Sequence, residues 1–210
     1  MCDHHGHGEG GCSHEATGVV HAEEGTTYDM SRFIDLDQLV TLNETIENSG
    51  RGVFRSWMAR IDPNKFVESD TDEELLFRIP FTGTVKITGM VVISDGDETS
   101  PAKVRLYKNK ESMTFDDCSI APEQEINLKQ DTTGVVDYPL KASKFNSLHH
   151  LTIHVSDNFG GENTKINYIG FRGEFQEEFR ERVVIATYEA RALTKDHKGE
   201  IPDAVMRDLM

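Results

Sequence analysis

Histidine and cysteine, which are common transition-metal ligands, are concentrated at the start of the chain. Cys2, His4, His5 and His7 lie within its first seven residues. Imidazole and thiolate groups can bind Zn, Cu or Ni. If Met1 is removed, Cys2-Asp3-His4 would place an amine, two amides and an imidazole around a square-planar metal. The spacing matches no closed structural zinc pattern. We therefore expect no resident cofactor and keep metal binding by these four residues as an alternative function.

Three histidines and one cysteine in the interior of the chain are the other candidates for chemistry. His150 and His154 alternate onto one face of a predicted strand with Thr152 between them, and His149 precedes them. No carboxylate stands at ligand spacing, so the pattern favours a polar-face histidine pair over a metal site. Cys118 has no base beside it in the sequence, which argues against a nucleophilic role.

The sequence lacks the motifs that usually carry catalysis or phosphate binding. The Gly160-Gly161 pair is not followed by the Lys-Ser/Thr and helix that a phosphate-binding loop needs. No nucleophile elbow of the Gly-x-Ser-x-Gly kind is present, and no Cys-x-x-Cys pair offers dithiol redox chemistry. We therefore predict that the protein is not an enzyme.

Charge and hydropathy exclude several classes of function. The 210 residues include 22 Lys+Arg against 37 Asp+Glu, which gives a formal charge of −15, and the mean hydropathy is −0.50. Nucleic-acid binding depends on clustered basic residues, and no basic run is present, so we expect no nucleic-acid partner. No stretch reaches the roughly 20 apolar residues of a membrane-spanning helix, and the start lacks an apolar signal region. We predict a monomer that contacts no membrane and resides in the cytoplasm, with passive access to the nucleus.

Hydrophobic periodicity indicates which elements position these residues. Asp35, Gln38 and the apolar residues between positions 34 and 42 have the spacing of a capped helix, so we predict one short N-terminal helix there. Downstream, short runs of alternating apolar and polar residues are separated by turn residues, and Pro80 and Gly83 are expected to end the first run. The runs fall at residues 75–79, 85–93, 103–107, 126–128, 135–138, 150–155, 165–173 and 183–186.

Many short strands with hardly any helix between them are typical of one all-β architecture. The pattern predicts an antiparallel β-sandwich or jelly roll, although periodicity alone does not choose between sandwich types. The Gly-, His- and acid-rich residues 1–24 and the polar residues 193–210 contain too few large apolar side chains to fold, so we expect disordered tails.

Several segments, in order along the chain, resemble one known family. They include Gly50-Arg51-Gly52-Val53-Phe54, Lys65-Phe66-Val67-Glu68-Ser69-Asp70, Ile79-Pro80-Phe81-Thr82-Gly83, Met113-Thr114-Phe115-Asp116-Asp117 and Tyr168-Ile169-Gly170-Phe171-Arg172-Gly173-Glu174. Together they make residues 25–192 resemble the PITH domain, whose name abbreviates proteasome-interacting thioredoxin. The resemblance implies a jelly roll of the galactose-binding-like shape and association with the 26S proteasome. The thioredoxin portion of some members is missing, so the resemblance implies no redox activity.

Loop residues in the matching segments are candidates for partner binding, because a sandwich presents its inter-strand loops at its ends. They are Arg51, Phe54, Phe115, Asp116, Asp117 and Arg172. Each has a structural alternative, since aromatic rings can fill the sandwich ends, Asp116 can cap a turn and Arg172 can form an internal ion pair. The function predicted is a non-enzymatic adaptor that binds the 26S proteasome.

A second class of function remains open at this point, namely a small-ligand or carbohydrate-binding module that uses the same end loops. Such a module needs an aromatic-lined cleft with a few converging polar groups. Trp57 and Tyr107 are the possible stacking platforms. Burial of both rings in the core would remove the main argument for this alternative.

Overall fold

The computed structural model describes residues 28–178, which form strands and short 3-10 helices. The strands are β1 (Val40–Leu42), β2 (Val67–Glu68), β3 (Leu75–Ile93), β4 (Pro101–Lys108), β5 (Gln124–Asn127), β6 (Tyr138–Pro139), β7 (Leu148–Asn158), β8 (Lys165–Ile166) and β9 (Tyr168–Glu178). The 3-10 helices are Met30–Phe33, Ser49–Val53, Trp57–Ala59 and Asp116–Ser119. No helix within residues 28–178 is long and apolar enough to cross a membrane.

Several sequence predictions concern residues beyond this range. The two tails, the strand at 183–186 and the domain boundaries at residues 25 and 192 lie outside the described residues. The same holds for the metal-binding candidates, which are Cys2, His4, His5 and His7.

The long strand β3 organises the fold, because its two halves pair with different neighbours. The first half pairs with β1 and β7, and the second half pairs with β6 and β9. Strand β7 continues the sheet through β4 to β5, while β2 and β8 form a separate pair. Every one of these strand pairs is antiparallel. The predicted all-β class, an antiparallel sandwich of jelly-roll type, is confirmed.

The core lies between the apolar faces of the strands, which carry every second residue along the chain. Phe77 and Ile79 from the first half of β3 share one buried cluster with Ile87 and Met90 from the second half. Strands β7 and β9 add residues from the same alternation, which are Leu151, Ile153, Val155, Ile169 and Phe171. Full burial of an aliphatic or aromatic side chain contributes about 1.5–3 kcal/mol. Burial of these side chains therefore stabilises the strands whose apolar residues alternate with a period of two.

The helix predicted between residues 34 and 42 is wrong. Asp35 does act as a cap, since its Oδ1 accepts hydrogen bonds from the backbone N–H groups of Asp37 (3.2 Å) and Gln38 (3.3 Å). The chain makes only a turn there and then extends as β1, which pairs with residues 76–78 of β3. The nearest helical element is the 3-10 helix Met30–Phe33. Pairing with a distant strand therefore overrides a local pattern that suits a helix.

The expected end of a strand at Pro80 and Gly83 is also wrong, because β3 runs through both residues. The register of β3 against β7 shifts between Pro80 and Val85, and its register against β9 shifts between Thr84 and Val85. A proline removes one ladder donor, which strands accommodate at irregular positions. The turn signal therefore marks the place where β3 changes partners.

Substitution of Gly173 tests how closely β9 approaches β3. A Cβ atom at this position would overlap with the backbone carbonyl oxygen of Lys86, which cannot rotate away. We expect Gly173→Ala to lower the free energy of unfolding by about 1–3 kcal/mol, as overpacked sites do, measured by urea denaturation. Gly52→Ala is the matched control, because its Cβ would lie 3.7 Å from the nearest atom, Cδ of Lys65. Equal losses in the two variants would contradict this packing.

Candidate functional site

One arginine organises the loop between the 3-10 helix Ser49–Val53 and β2. The guanidinium of Arg55 donates hydrogen bonds to six backbone carbonyl oxygens, at 2.7–3.4 Å. The acceptors are the carbonyls of Gly52, Ala59, Arg60, Asp62, Lys65 and Asn167. Burial lowers the pKa of Arg55, and Asp62 and the Tyr168 ring oppose this effect. The loop is therefore held by a cation at its centre, on carbonyls that come from several points along the chain.

The outer side of this loop is apolar and exposed. Met58 and Ile61 are 89% and 58% exposed. Arg60 connects them to a second loop, because its Nε donates to the Thr133 carbonyl at 3.2 Å, and Val135 on that loop is 47% exposed. We name Met58, Ile61 and Val135 the Met58 surface. Large exposed apolar side chains on two loops that contact each other make this surface a candidate for protein binding.

Trp57 anchors the Met58 surface from below. Its ring stacks on Tyr28, with ring centroids 5.0 Å apart, and the Arg60 guanidinium lies 4.1 Å from the Trp57 ring centroid. Gly134, with φ of +84°, brings the second loop against Trp57, since a Cβ there would lie 3.3 Å from that ring. The cation–π and stacking contacts fix the exposed residues on a rigid base.

The predicted partner residues Arg51 and Phe54 lie in the same part of the chain but face inwards. Phe54 is 2% exposed, and its ring packs edge-to-face on Phe77 and stacked on Phe171. Arg51 is half-buried, and its Nε donates to the Leu39 carbonyl at 3.3 Å. Phe54 therefore packs in the interior, which is the structural role that the sequence left open for it. Its ring offers no surface to a partner. Partner binding by Arg51 stays a prediction.

The predicted residues Phe115, Asp116 and Asp117 form a turn that covers the outer face of β7. The Phe115 ring packs edge-to-face on His154. The Asp117 carboxylate accepts hydrogen bonds from the backbone N–H (2.9 Å) and the hydroxyl (2.8 Å) of Thr114, which hold the pKa of Asp117 below its ordinary value. Asp116 and Asp117 are exposed, so a role in partner binding stays a prediction for both.

Arg172 forms an internal ion pair, which the sequence analysis gave as the alternative to partner binding. Its Nη2 lies 2.8 Å from Oδ2 of Asp137, and the Tyr28 hydroxyl donates to Oδ1 of the same carboxylate at 2.6 Å. This network ties the segment before the first 3-10 helix to β9. Within residues 28–178, no hydrogen bond, ion pair or ring contact joins Arg172 to Arg51 or to the turn at 115–117, so the structure does not bring the six predicted residues together.

The two aromatic rings proposed as sugar platforms are both buried. Trp57 is 8% exposed and Tyr107 is fully buried, with its hydroxyl donating to the Cys118 carbonyl at 3.1 Å. Neither ring is available to stack on a ligand. This removes the sequence argument for a carbohydrate-binding cleft.

A cleft of about 860 Å³ lies on the outer face of β3 and β7. Arg78 and Pro80 of β3 and His150 of β7 form its floor, while Asp35 and Glu111 stand on the loops that border it. The register places Pro80 opposite His150 and Arg78 opposite Thr152, so these side chains share one face. The sequence placed the histidines on one face but did not connect them with Arg78.

Two residues of types that often act in catalysis, His154 and Cys118, do not line this cleft and are buried in neutral forms. His154 is 3% exposed, its Nε2 lies 3.3 Å from Oε2 of Glu74, and burial lowers its pKa. Cys118 is buried, and burial raises its pKa to about 11, so it is a thiol at neutral pH. In residues 28–178, no group of three or more His, Cys, Asp or Glu side chains could hold a metal ion.

The sequence patterns did not point to Arg55, Met58 or Arg78 as functional residues. Their weak signals were a methionine and an isoleucine in a loop rich in polar residues, and an arginine at an outward position of a strand. Neither signal states which carbonyl groups or loops lie nearby, because that information comes from long-range contacts.

Replacement of Arg55 tests whether one guanidinium holds the loop. Lysine keeps the charge but has three donors on a single nitrogen, so Arg55→Lys cannot reach the six carbonyls. We expect the free energy of unfolding to fall by about 1.5–3 kcal/mol and amide hydrogen exchange at residues 56–62 to accelerate. Arg51→Lys is the control, since Arg51 makes a single side-chain hydrogen bond. Unchanged exchange in Arg55→Lys would refute this role.

The buried histidines predict acid lability. Burial lowers the pKa of His150 and His154 from the ordinary value of 6.5, so the unfolded chain binds protons there that the folded chain does not. Stability is therefore complete above pH 6.5 and falls as the pH drops, by up to about 1.4 kcal/mol per unit for each histidine.

Urea denaturation between pH 7.5 and 5.5 measures this slope. We expect His154→Gln to make the dependence of unfolding free energy on pH shallower. His149→Gln, at a side chain that is 39% exposed, serves as the matched control. A slope that His154→Gln leaves unchanged would show that His154 does not supply it.

Comparison with known proteins agrees with the resemblance found in the sequence. The PITH domain family matches residues 20–192. A PITH domain-containing protein of Caenorhabditis elegans is 54% identical over 209 residues, 100% of each chain, and PITH domain-containing protein 1 of Homo sapiens is 48% identical over 94% of each. The solved structure of CBM32-3 from a family 31 glycoside hydrolase of Clostridium perfringens aligns at 12% identity with a TM-score of 0.45, covering 69% of this chain and 97% of that chain. The chain belongs to the PITH domain family.

Proposed function

We propose that this protein is a non-enzymatic adaptor that binds the 26S proteasome through the Met58 surface. The observation that carries the proposal is Met58 itself, which is 89% exposed on a loop that Arg55 fixes from within. Transfer of a large exposed apolar side chain from water into an interface is favourable, and a methionine side chain adapts its shape to a partner groove. The Met58 surface therefore has the properties of an anchor for another protein.

A rigid loop strengthens such an anchor. Binding normally loses free energy when loops and side chains become ordered at the interface, and a loop ordered beforehand avoids much of that loss. Six hydrogen bonds from Arg55 and the stacking of Trp57 order this loop in the free protein. Few residues in an interface carry most of its affinity, and they lie in well-packed positions.

The proteasome as partner follows from the family. The PITH resemblance implies association with the 26S proteasome, and the match to the family over residues 20–192 supports carrying that implication to this chain. The formal charge of −15 adds attraction to basic patches on a partner, and this attraction weakens as salt screens it. We therefore propose that binding is tightest at low ionic strength.

The side chains that catalysis would need support an adaptor over an enzyme. The Cys118 thiol is protonated at neutral pH, and a thiol is a far weaker nucleophile than a thiolate. His154 is packed under Phe115 and beside Glu74, with no open cleft above its ring. Both residues act in packing and hydrogen bonding.

A charge placed on the Met58 surface tests the proposal. We expect Met58→Asp to weaken binding to purified 26S proteasome by about 30-fold or more, because a central interface residue contributes about 2 kcal/mol or more. The folded state should keep its stability within about 0.5 kcal/mol, as exposed sites do. Binding is measured at low salt by biolayer interferometry, and stability by urea denaturation.

Ile46→Asp is the matched control, because Ile46 is an apolar residue of similar exposure, 63%, on a different loop. We expect this variant to bind like the unmodified protein. Equal weakening in both variants would indicate a general charge effect, and normal binding by Met58→Asp would remove this surface from the interface. Absence of binding by the unmodified protein would overturn the proteasome as partner.

A further inference from the structure

The cleft on the outer face of β3 and β7 contains an arginine without a partner. Every other arginine within residues 28–178 makes a side-chain hydrogen bond or an ion pair, and Arg78 makes neither. Its side chain is half-buried, and its Nε is fully buried with no acceptor. A buried charged donor without an acceptor destabilises the folded state. The fold thus retains a group that it does not use for its own stability.

A second nitrogen beside Arg78 is also without a partner. His150 is 9% exposed, and its Nε2 is buried and makes no hydrogen bond. Pairing of Pro80 with His150 and of Arg78 with Thr152 places the two side chains on the same face of adjacent strands. Both side chains line the same cleft, and the charge of Arg78 adds to the burial that lowers the pKa of His150. Two nitrogens without a partner therefore border one cleft, and the Arg78 guanidinium, which can only donate, has no acceptor within residues 28–178.

We propose that this cleft binds a carboxylate group, with the Arg78 guanidinium as its main donor and His150 as the neighbouring nitrogen. A planar guanidinium matches the two oxygens of a carboxylate and can bond both of them. Placed in a half-buried cleft, such a pair is stronger than on an open surface. The site goes beyond the proposed adaptor function and shares no residue with the Met58 surface.

The surroundings of Arg78 limit the charge of the ligand. Asp35 and Glu111 border the same cleft, and the Oε1 atom of Glu111 lies 3.9 Å from Nδ1 of His149. Two carboxylates near the rim repel a dianion more than they repel a monoanion. The cleft therefore favours a single carboxylate over phosphate or sulfate.

The remaining walls of the cleft define the rest of the ligand. Val40, Pro80 and Phe81 contribute apolar surface beside Arg78. A ligand with a short apolar portion next to its carboxylate would use both features. This chemistry occurs at the carboxyl terminus of a peptide that ends in an apolar residue, at an acidic side chain within a peptide, and in a free small carboxylic acid.

The test uses the full-length protein labelled with ¹⁵N and three probes in NMR titrations. N-acetyl-leucine carries the carboxylate beside an apolar group, N-acetyl-leucinamide lacks the charge, and inorganic phosphate carries up to two charges. We expect saturable shifts of the Arg78 Nε–H signal and of amide signals around the cleft with N-acetyl-leucine. The amide should cause none, and phosphate should bind at least tenfold more weakly.

Two variants assign the effect to Arg78. Arg78→Gln should reduce the affinity for N-acetyl-leucine at least tenfold and leave the unfolding midpoint of the free protein unchanged or higher, because Arg78 has no internal partner to lose. Arg32→Gln, at an exposed arginine outside the cleft, should bind like the unmodified protein. Equal binding by Arg78→Gln, equal binding of the amide, or no saturable shift with any carboxylate would overturn the proposal.

Three short peptides then distinguish the sources of the carboxylate. The first is acetyl-Gly-Gly-Leu with a free carboxyl terminus, the second is its carboxyl-terminal amide, and the third is acetyl-Gly-Glu-Leu-amide. Stronger binding of the first peptide than of N-acetyl-leucine would identify a chain terminus, and stronger binding of the third would identify an acidic side chain. Preference for N-acetyl-leucine over both would identify a small free acid. Each of these outcomes supports a carboxylate site, and failure of all three peptides and of N-acetyl-leucine contradicts it.

Discussion

The contact between the Arg55 guanidinium and six backbone carbonyls is the constraint on which the proposed interface depends. It joins residues 52–65 to Asn167, next to the start of β9. A loop of this length would otherwise sample many conformations, and conformational entropy is the main free-energy cost of order. Because a cation at the centre holds the carbonyls, the apolar side chains can point outwards. The side chain of Met58 therefore stays exposed, and the loop does not fold back over it.

The rest of the sandwich serves as a platform for its loops. Strand β3 is the common element, because it pairs with both sides of the fold and carries Arg78 on its outer face. The face towards the core carries the main apolar cluster, and the opposite face borders the cleft and carries Leu76, which packs with the turn at residues 115–117. Strand β3 therefore links the main core to the cleft that we propose as a carboxylate site.

Much of the fold could be predicted from the sequence, because alternation over several residues is a local signal that the core reinforces. Most strands from β3 to β9 follow the predicted runs. The helix predicted at residues 34–42 and the break at Pro80 were wrong, since both depend on pairing with distant strands. The candidate site was less predictable. Phe54 belongs to the core and Arg172 to an ion pair, while Arg55 and Arg78 have meaning only through contacts that the order of residues does not reveal.

The most direct test of an interface at the Met58 surface is hydrogen–deuterium exchange of this protein, free and bound to purified 26S proteasome at low salt. Binding through the Met58 surface should slow exchange at the amides of residues 56–62 and 133–135, while amides on the other loops exchange as in the free protein. Protection confined to other loops, or no protection at any amide, would contradict it.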